Sequence, residues 1–349
     1  MENYKKFQEA LCKELNEILW GELGLPIVPV CMSLNIQKEN GDIDSKSETI
    51  SFAREEKKKG KKKEIKTFGN YPVFELANIY KVYEKWTDIE KVAKLILLCA
   101  GFPDEYTAQV PEAIDPCESR IFYTAVNKDK YADMLKRVPH RMVHDLAVVY
   151  HIKYDERAGK DGFSTIISNE MADLLGKKEE DLFKLAQVNT KYLLKPKVKS
   201  IKDFFYENYK LCEMSDAEAT KRAEEHAKKL PEAHIVSDES GYSNQSIYGS
   251  SFILENEFLQ NLSMEYDDDL IILPVSSYAF VVIKSADMRI KDADTMASII
   301  RDTFIPEEEQ LSNSVYYYNQ MKNELLLVST GRSIHDITAF LSRIRNNDN

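Results

Sequence analysis

The apolar residues of this chain come in short runs separated by turns, and that limits what it can fold into. The longest runs, residues 95–100 and 270–274, are core-length, far below the roughly 18 consecutive apolar residues of a membrane helix. Each element must therefore bury one face against a neighbour, as in a layered domain of sheets and helices. Apolar residues make up 43% of the chain and charged residues 30%, the balance of a globular protein rather than a disordered one. With 349 residues there is room for two or three cores.

Periodicity assigns the elements. Tyr4, Phe7, Leu11, Leu15, Ile18 and Leu19 recur at helical spacing, predicting a helix over 2–19. Met32, Leu34 and Ile36 alternate before Asn40-Gly41, a strong hairpin signal, and Ile50 and Phe52 fit the returning strand. A helix is expected over 71–85. Thr87-Asp-Ile-Glu90 then reads as a capping box for the next helix, which Gly101 and Pro103 stop. Strands are expected at 121–126, 145–154 and 163–167, with short helices at 169–175 and 179–189. Ser200 and Ser215 stand as N-caps of two further helices. The second is nearly all charge and Ala, which reads as a solvated spacer ending at Pro231. Beyond it lie strands at 250–254, 270–273, 279–284, 315–318 and 325–329, helices at 256–262 and 292–304, and a last helix capped by Ser333.

This order predicts an α+β protein, with antiparallel sheets flanked by helices and three consecutive units at 1–111, 112–231 and 232–349. It also contains a candidate internal repeat. Residues 164–175 and 251–262 share five of twelve positions, each reading as a strand handing over to a helix with Asn169 or Asn256 near its cap.

Charge narrows the classes of partner. There are 47 basic and 58 acidic residues, a net charge of −11. Residues 54–66 run the other way: Arg54 and seven lysines against Glu55, Glu56 and Glu64 give +5, leaving −16 for the rest. Lys58, Lys61 and Lys62 are candidate contacts to an acidic partner or nucleic acid. Yet no aromatic is interleaved for base stacking, and the body would repel phosphate. A solvated surface loop is the expectation. Five cysteines without a CxxC pair, and an N-terminus lacking an apolar signal core, point to a reducing, cytoplasmic home with no membrane partner.

Chemistry-bearing patterns are sparse. His140-Arg-Met-Val-His144-Asp145 places two histidines four apart, the spacing of a metal-gripping helix face. Pro139 upstream and the β-type run that follows, which contains His151, argue against a helix; the segment reads as a turn with ordinary hydrogen-bonding histidines, so no metal or cofactor is expected. His140 and Asp145 stand as the candidate catalytic pair. Ser276 and Ser277 lie between two apolar strands without the G-x-S-x-G elbow of a nucleophilic serine. The acidic clusters 267–269 and 307–309 lack EF-hand spacing and read as turns. No Walker A loop, dinucleotide fingerprint, H-E-x-x-H or kinase set occurs.

Several stretches in order carry a resemblance. They are the Tyr4-Lys-Lys-Phe7 helix, the helical pair over 71–96, and Ser119-Arg-Ile-Phe-Tyr123 leading to Asn127. Val138-Pro-His140 with Asp145-Leu-Ala-Val-Val149, the Asn169-Glu170 helix, Ile272-Leu-Pro274 and Leu311-Ser-Asn-Ser-Val-Tyr-Tyr317 follow. Together they resemble domain of unknown function 5688, a family of anaerobic Gram-positive bacteria whose members often sit on phages and conjugative elements. The resemblance supplies no activity. It adds Arg120 and Asn127 to Ser276, Ser277 and the lysines as candidate binding residues. The chain departs from it in the Lys-rich stretch, at His144, and at Val275-Ser-Ser-Tyr-Ala279, which lacks a His-Glu pair that similar members carry near there. If that pair were catalytic in relatives, this chain would be an inactive or merely binding version.

The function expected is that of a non-enzymatic binding or inhibitory protein, acidic in body, engaging another protein such as a defence or nucleic-acid enzyme. The alternatives are a hydrolase or nuclease using His140 and Asp145, and nucleic-acid binding through the Lys-rich loop.

Overall fold

The computed structural model describes residues 2–23, 25, 27–37, 43–56, 64–65, 72–102, 117–154, 163–228, 230–239 and 248–330. Packing divides the chain into two units. One comprises Met1–Phe122, Arg137–Pro139 and Tyr150–Asn189, the other Tyr123–Lys136, His140–Val149 and Thr190–Asn349. The expected boundary at Pro231 falls inside the second unit, and that at 111 lies outside the described residues.

In the first unit, α1 (Glu2–Asn16) continues as a π-helical turn over Glu17–Glu22. Phe7, Leu11, Leu15, Ile18 and Leu19 are buried, the stripe the periodicity predicts. β1 (Ile27–Gln37) and β2 (Ile43–Glu56) pair antiparallel, running from Ile27 opposite Arg54 to Gln37 opposite Ile43. The Asn40-Gly41 turn lies outside the described residues. Short strands β3 (Glu64–Ile65) and β4 (Phe74–Glu75) add to β2, so both ends of the Lys-rich stretch are strand. The rest of it, with Lys58, Lys61 and Lys62, lies outside the described residues.

Helices α2 (Leu76–Trp86) and α3 (Ile89–Ala100) follow. The cap of α3 differs from the expected box. Thr87, at φ 52°, closes α2 in the left-handed region, and Asp88 instead accepts the Lys91 N–H at 3.1 Å. Asp caps as well as Thr, and Thr87 is already used by the preceding helix. Gly101 ends α3 as expected, at φ 76°, with its N–H donated to the Leu97 and Leu98 carbonyls.

A 3-10 turn at Cys117–Arg120 leads into β5 (Ile121–Asn127), then α4 (Ala132–Leu135), β6 (His140–Val143), β7 (Leu146–Tyr154) and β8 (Phe163–Ile166). β6 pairs with the Leu146–Val149 part of β7, within the second unit. β8 pairs with its His151–Tyr154 part, within the first. α5 (Asn169–Leu175) is capped by Ser168, whose Oγ accepts the Met171 N–H at 3.2 Å, and α6 (Glu179–Leu193) comes next.

The second unit is organised on a six-stranded antiparallel sheet. Its strands are β9 (Pro196–Ser200), β10 (Ala233–Asp238), β11 (Leu270–Leu273), β12 (Ala279–Lys284), β13 (Val315–Asn319) and β14 (Glu324–Ser329), in the order β14-β13-β11-β12-β10-β9. Ile271, Leu273, Val281 and Ile283 bury one face against Ile201 of α7 (Ile201–Leu211) and against Ile290, Ala293 and Ala297 of α10 (Ile290–Phe304). α8 (Asp216–Ala227) is not solvated all round: it packs on α7, with Ala219 and Ala223 buried. The helix expected from Ser333 lies outside the described residues.

The strand expected over 250–254 is a 3-10 turn, Gly249–Leu254, preceding α9 (Asn256–Tyr266). The Ser250 and Ser251 hydroxyls donate to the Ala125 and Tyr123 carbonyls at 3.0 and 2.8 Å, so side chains rather than a ladder dock this segment on β5. The two similar segments therefore differ in backbone, one a strand and one a 3-10 turn. Asn169 and Asn256 do lie beside the helix starts, each one residue after the cap, Ser168 or Glu255.

Gly249 shows how tightly that turn is held. A Cβ there would stand 1.8 Å from the Tyr278 carbonyl oxygen, whereas one on Gly21 would meet nothing within 4 Å. Gly249→Ala should cost about 2 kcal/mol or more, since backbone must move. Gly21→Ala should be neutral or stabilising by up to about 1 kcal/mol. Urea unfolding of both variants measures the contrast.

Candidate functional site

His144 and Asp145 form the two-residue loop between β6 and β7, which close at Val143 opposite Leu146. His144 adopts φ 55°, a left-handed conformation unusual for a side-chain-bearing residue. Its Nε2–H donates to the Leu325 carbonyl at 3.1 Å, and its ring packs on that of Tyr316 with centroids 5.5 Å apart. This places Asp145 over the start of β13. Its Oδ2 accepts the Ser312 and Ser314 hydroxyls at 2.5 and 2.8 Å, and its Oδ1 accepts the Tyr316 hydroxyl. All three donors are buried. Burial, then the Asp145 charge, pushes the Tyr316 phenol far above its ordinary pKa, so it stays a donor. A carboxylate offers about four lone-pair sites, and three are occupied.

His140 does not join this group. It stands on β6 opposite Val149, three residues before the closing pair, or about 10 Å along the strand. His151 belongs to the first unit. Its Nδ1 is 3.1 Å from the Ser164 hydroxyl, its ring stacks on Phe122, and desolvation lowers its pKa to about 4. Among the described residues, no three His, Cys, Asp or Glu side chains are placed to hold one metal ion.

The other candidates each hold backbone. Arg120, buried in the first unit, donates to the Cys99 carbonyl at 3.2 Å and the Lys153 carbonyl at 3.4 Å, a cation at the C-terminal end of α3. Asn127 Oδ1 accepts the Asp129 and Lys130 N–H groups, both at 3.0 Å, turning the chain toward α4. Ser276 Oγ accepts the Tyr278 N–H at 3.0 Å. The Ser277 N–H donates to the Glu309 carbonyl at 2.9 Å, and its own carbonyl accepts the Ser250 N–H at 3.2 Å.

Among the described residues of the second unit, two recesses bear on the site. The larger, about 420 Å³, runs along the β9 edge of the sheet. Lys197 and Lys199 of β9, Ser237 and Ile235 of β10, and Ala279 of β12 meet in register and form its floor. Phe204, Glu207, Asn208 and Leu211, one face of α7, make a wall; Tyr278, Asp238, Glu239 and Glu309 close the end. Four carboxylates face two lysines, and Lys199 is already paired with Glu207, leaving the groove acidic. Phe204 and Leu211 remain exposed at 38% and 63%. Lys197, Lys199 and this helix face each carry the right period in the sequence, but only strand register brings them together.

The smaller recess, about 350 Å³, is lined by Tyr192, Phe252, Phe258 and Glu255. Burial raises the pKa of Glu255 although the Tyr123 hydroxyl donates to it and Lys191 is near.

Two measurements follow. Asp145→Ala leaves three buried hydroxyls without their acceptor and should cost about 3 kcal/mol in urea unfolding, with Asp145→Asn losing less because an amide oxygen still accepts. At Glu255 the folded state favours the neutral acid, so its contribution to stability is full below the unfolded pKa of 4.5 and is lost as pH rises through the higher folded value. Glu255→Gln, which keeps an acceptor for Tyr123, should therefore exceed the wild type in stability at pH 7 and match it below about pH 4.5.

No curated protein and no solved structure matches the chain. A family model does, over residues 38–320, and the chain belongs to that family of unknown function, DUF5688.

Proposed function

We propose that this chain is a non-enzymatic binding protein whose second unit takes a basic segment of a partner protein into the groove along β9. The observation that carries this reading is the groove's make-up: an excess of carboxylates at its end, with Phe204 and Leu211 exposed on its wall. An extended segment with Lys or Arg beside a large apolar residue complements both features. The acidic charges would steer its approach, and the apolar contact would hold it. The overall charge of −11 adds to that steering, and basic nucleic-acid-binding clefts are surfaces of the matching sign.

The hydrolytic alternative draws less support. A general base needs a free lone pair within reach of its substrate, whereas Asp145 spends three on hydroxyls and His140 stands away from it.

The test uses fluorescent ten-residue peptides graded in Lys and Arg content, each with one Leu or Phe, titrated with the full chain. Basic peptides should bind, more weakly as salt rises, and acidic counterparts should not. Leu211→Asn, at an exposed position, should weaken binding about tenfold or more, as should Glu309→Lys. Equal binding of basic and acidic peptides, or full affinity in Leu211→Asn, would overturn the reading.

A further inference from the structure

Within the first unit, α1 lies on β1, and two cysteines nineteen residues apart meet there: the Cys12 and Cys31 sulfurs are 3.3 Å apart. Cys31 stands in register opposite Ile50, which is fully buried, so its side chain leaves the sheet on the same side as that residue. Cys12 follows Leu11 on the helix, at the margin of the buried stripe. Both thiols are part-exposed, so a small oxidant can reach them. A disulfide bond is about 2.05 Å long, and closing the gap requires the sulfurs to approach by only a little over an ångström.

We infer that Cys12 and Cys31 form a reversible dithiol–disulfide site, oxidised by hydrogen peroxide. The Cys31 thiolate attacks one peroxide oxygen, the O–O bond breaks, and the departing oxygen leaves as water after taking a proton. Cys31 is then a sulfenic acid. The Cys12 sulfur attacks it, the S–S bond forms, the S–O bond breaks, and the hydroxyl leaves with the Cys12 proton as a second water. Two thiols lose two electrons and one peroxide gains them; a dithiol reductant reverses the change.

The surroundings divide the roles. The Cys12 thiol and then the Gln8 side chain, as hydrogen-bonding partners, lower Cys31 to about 6 against partial burial and the Glu48 charge, while the same sulfur–sulfur contact and burial raise Cys12. Cys31, which has the Gln8 side chain as a further hydrogen-bonding partner, takes the attacking role in this scheme and Cys12 the resolving one. The other cysteines of this unit contrast with them. Cys99 and Cys117 are buried, and desolvation raises both, Cys117 to about 12.

The full chain would be treated with graded hydrogen peroxide, alkylated, and mapped by mass spectrometry. A peptide joining Cys12 to Cys31 should appear first, with the loss of two hydrogens in mass, and dithiothreitol should remove it. In Cys12→Ser, Cys31 should be trapped by dimedone as its sulfenic acid. In Cys31→Ser, oxidation of Cys12 should slow about tenfold or more. Wild-type chain that loses its Cys212 thiol first, with no Cys12–Cys31 peptide, would overturn the inference. So would undiminished Cys12 oxidation in Cys31→Ser.

Discussion

One carboxylate organises much of the second unit. Asp145 sits on a two-residue hairpin loop, where a single side chain can reach past the end of its own ribbon. It gathers hydroxyls from Ser312, Ser314 and Tyr316, spaced by two along the approach to β13 and the strand itself. His144 supports this placement from the other side by bonding to the Leu325 carbonyl of β14. The loop residue thus accepts an unfavourable backbone angle while its side chain and its neighbour fix two strands of the large sheet. Such a charge-assisted cluster is strong because the acceptor is ionised and each donor is otherwise enclosed.

That arrangement also recasts the His/Asp motif. Read as sequence, a histidine pair followed by an aspartate resembles the beginning of a catalytic or metal site. Read as structure, its most polar member is a fastener. The chemistry of the residue types is the same in both cases, and what differs is who occupies the lone pairs. The acidic groove beside β9 differs in setting, because its carboxylates line a concavity with apolar side chains standing exposed at its wall.

Much of the architecture was legible from periodicity. The stripe of α1, the long hairpin, the Ser200 and Ser215 caps, and strands β11 to β14 all follow local rules that tertiary contacts do not override. The failures are local rules with two solutions. Thr87 and Asp88 are both good caps, and the end of α2 decided between them. The segment 250–254 is apolar enough for a strand, but its serines found carbonyls on β5. β9 and β10 carry no clear strand signal, because Lys alternation and a short run beside Pro231 look like linker. The groove was illegible for the same reason: its floor exists only once those two strands are paired. Asp145 was singled out, but its partners lie some 170 residues away, and no spacing rule spans that distance.

The interleaving of the two units has a consequence for how the chain matures. The first draws on residues up to Asn189, and the second uses Tyr123–Lys136 and His140–Val149 together with everything after Thr190. As the polypeptide leaves the ribosome, its early hairpin and helices must wait for Tyr150–Asn189 before their unit can close. The β6–β7 ribbon must wait longer still, because the hydroxyls that Asp145 collects arrive only with residues 312–316. Contacts of such separation form late and slowly. Until synthesis passes that point, the nascent chain carries a loop whose charge water alone must solvate.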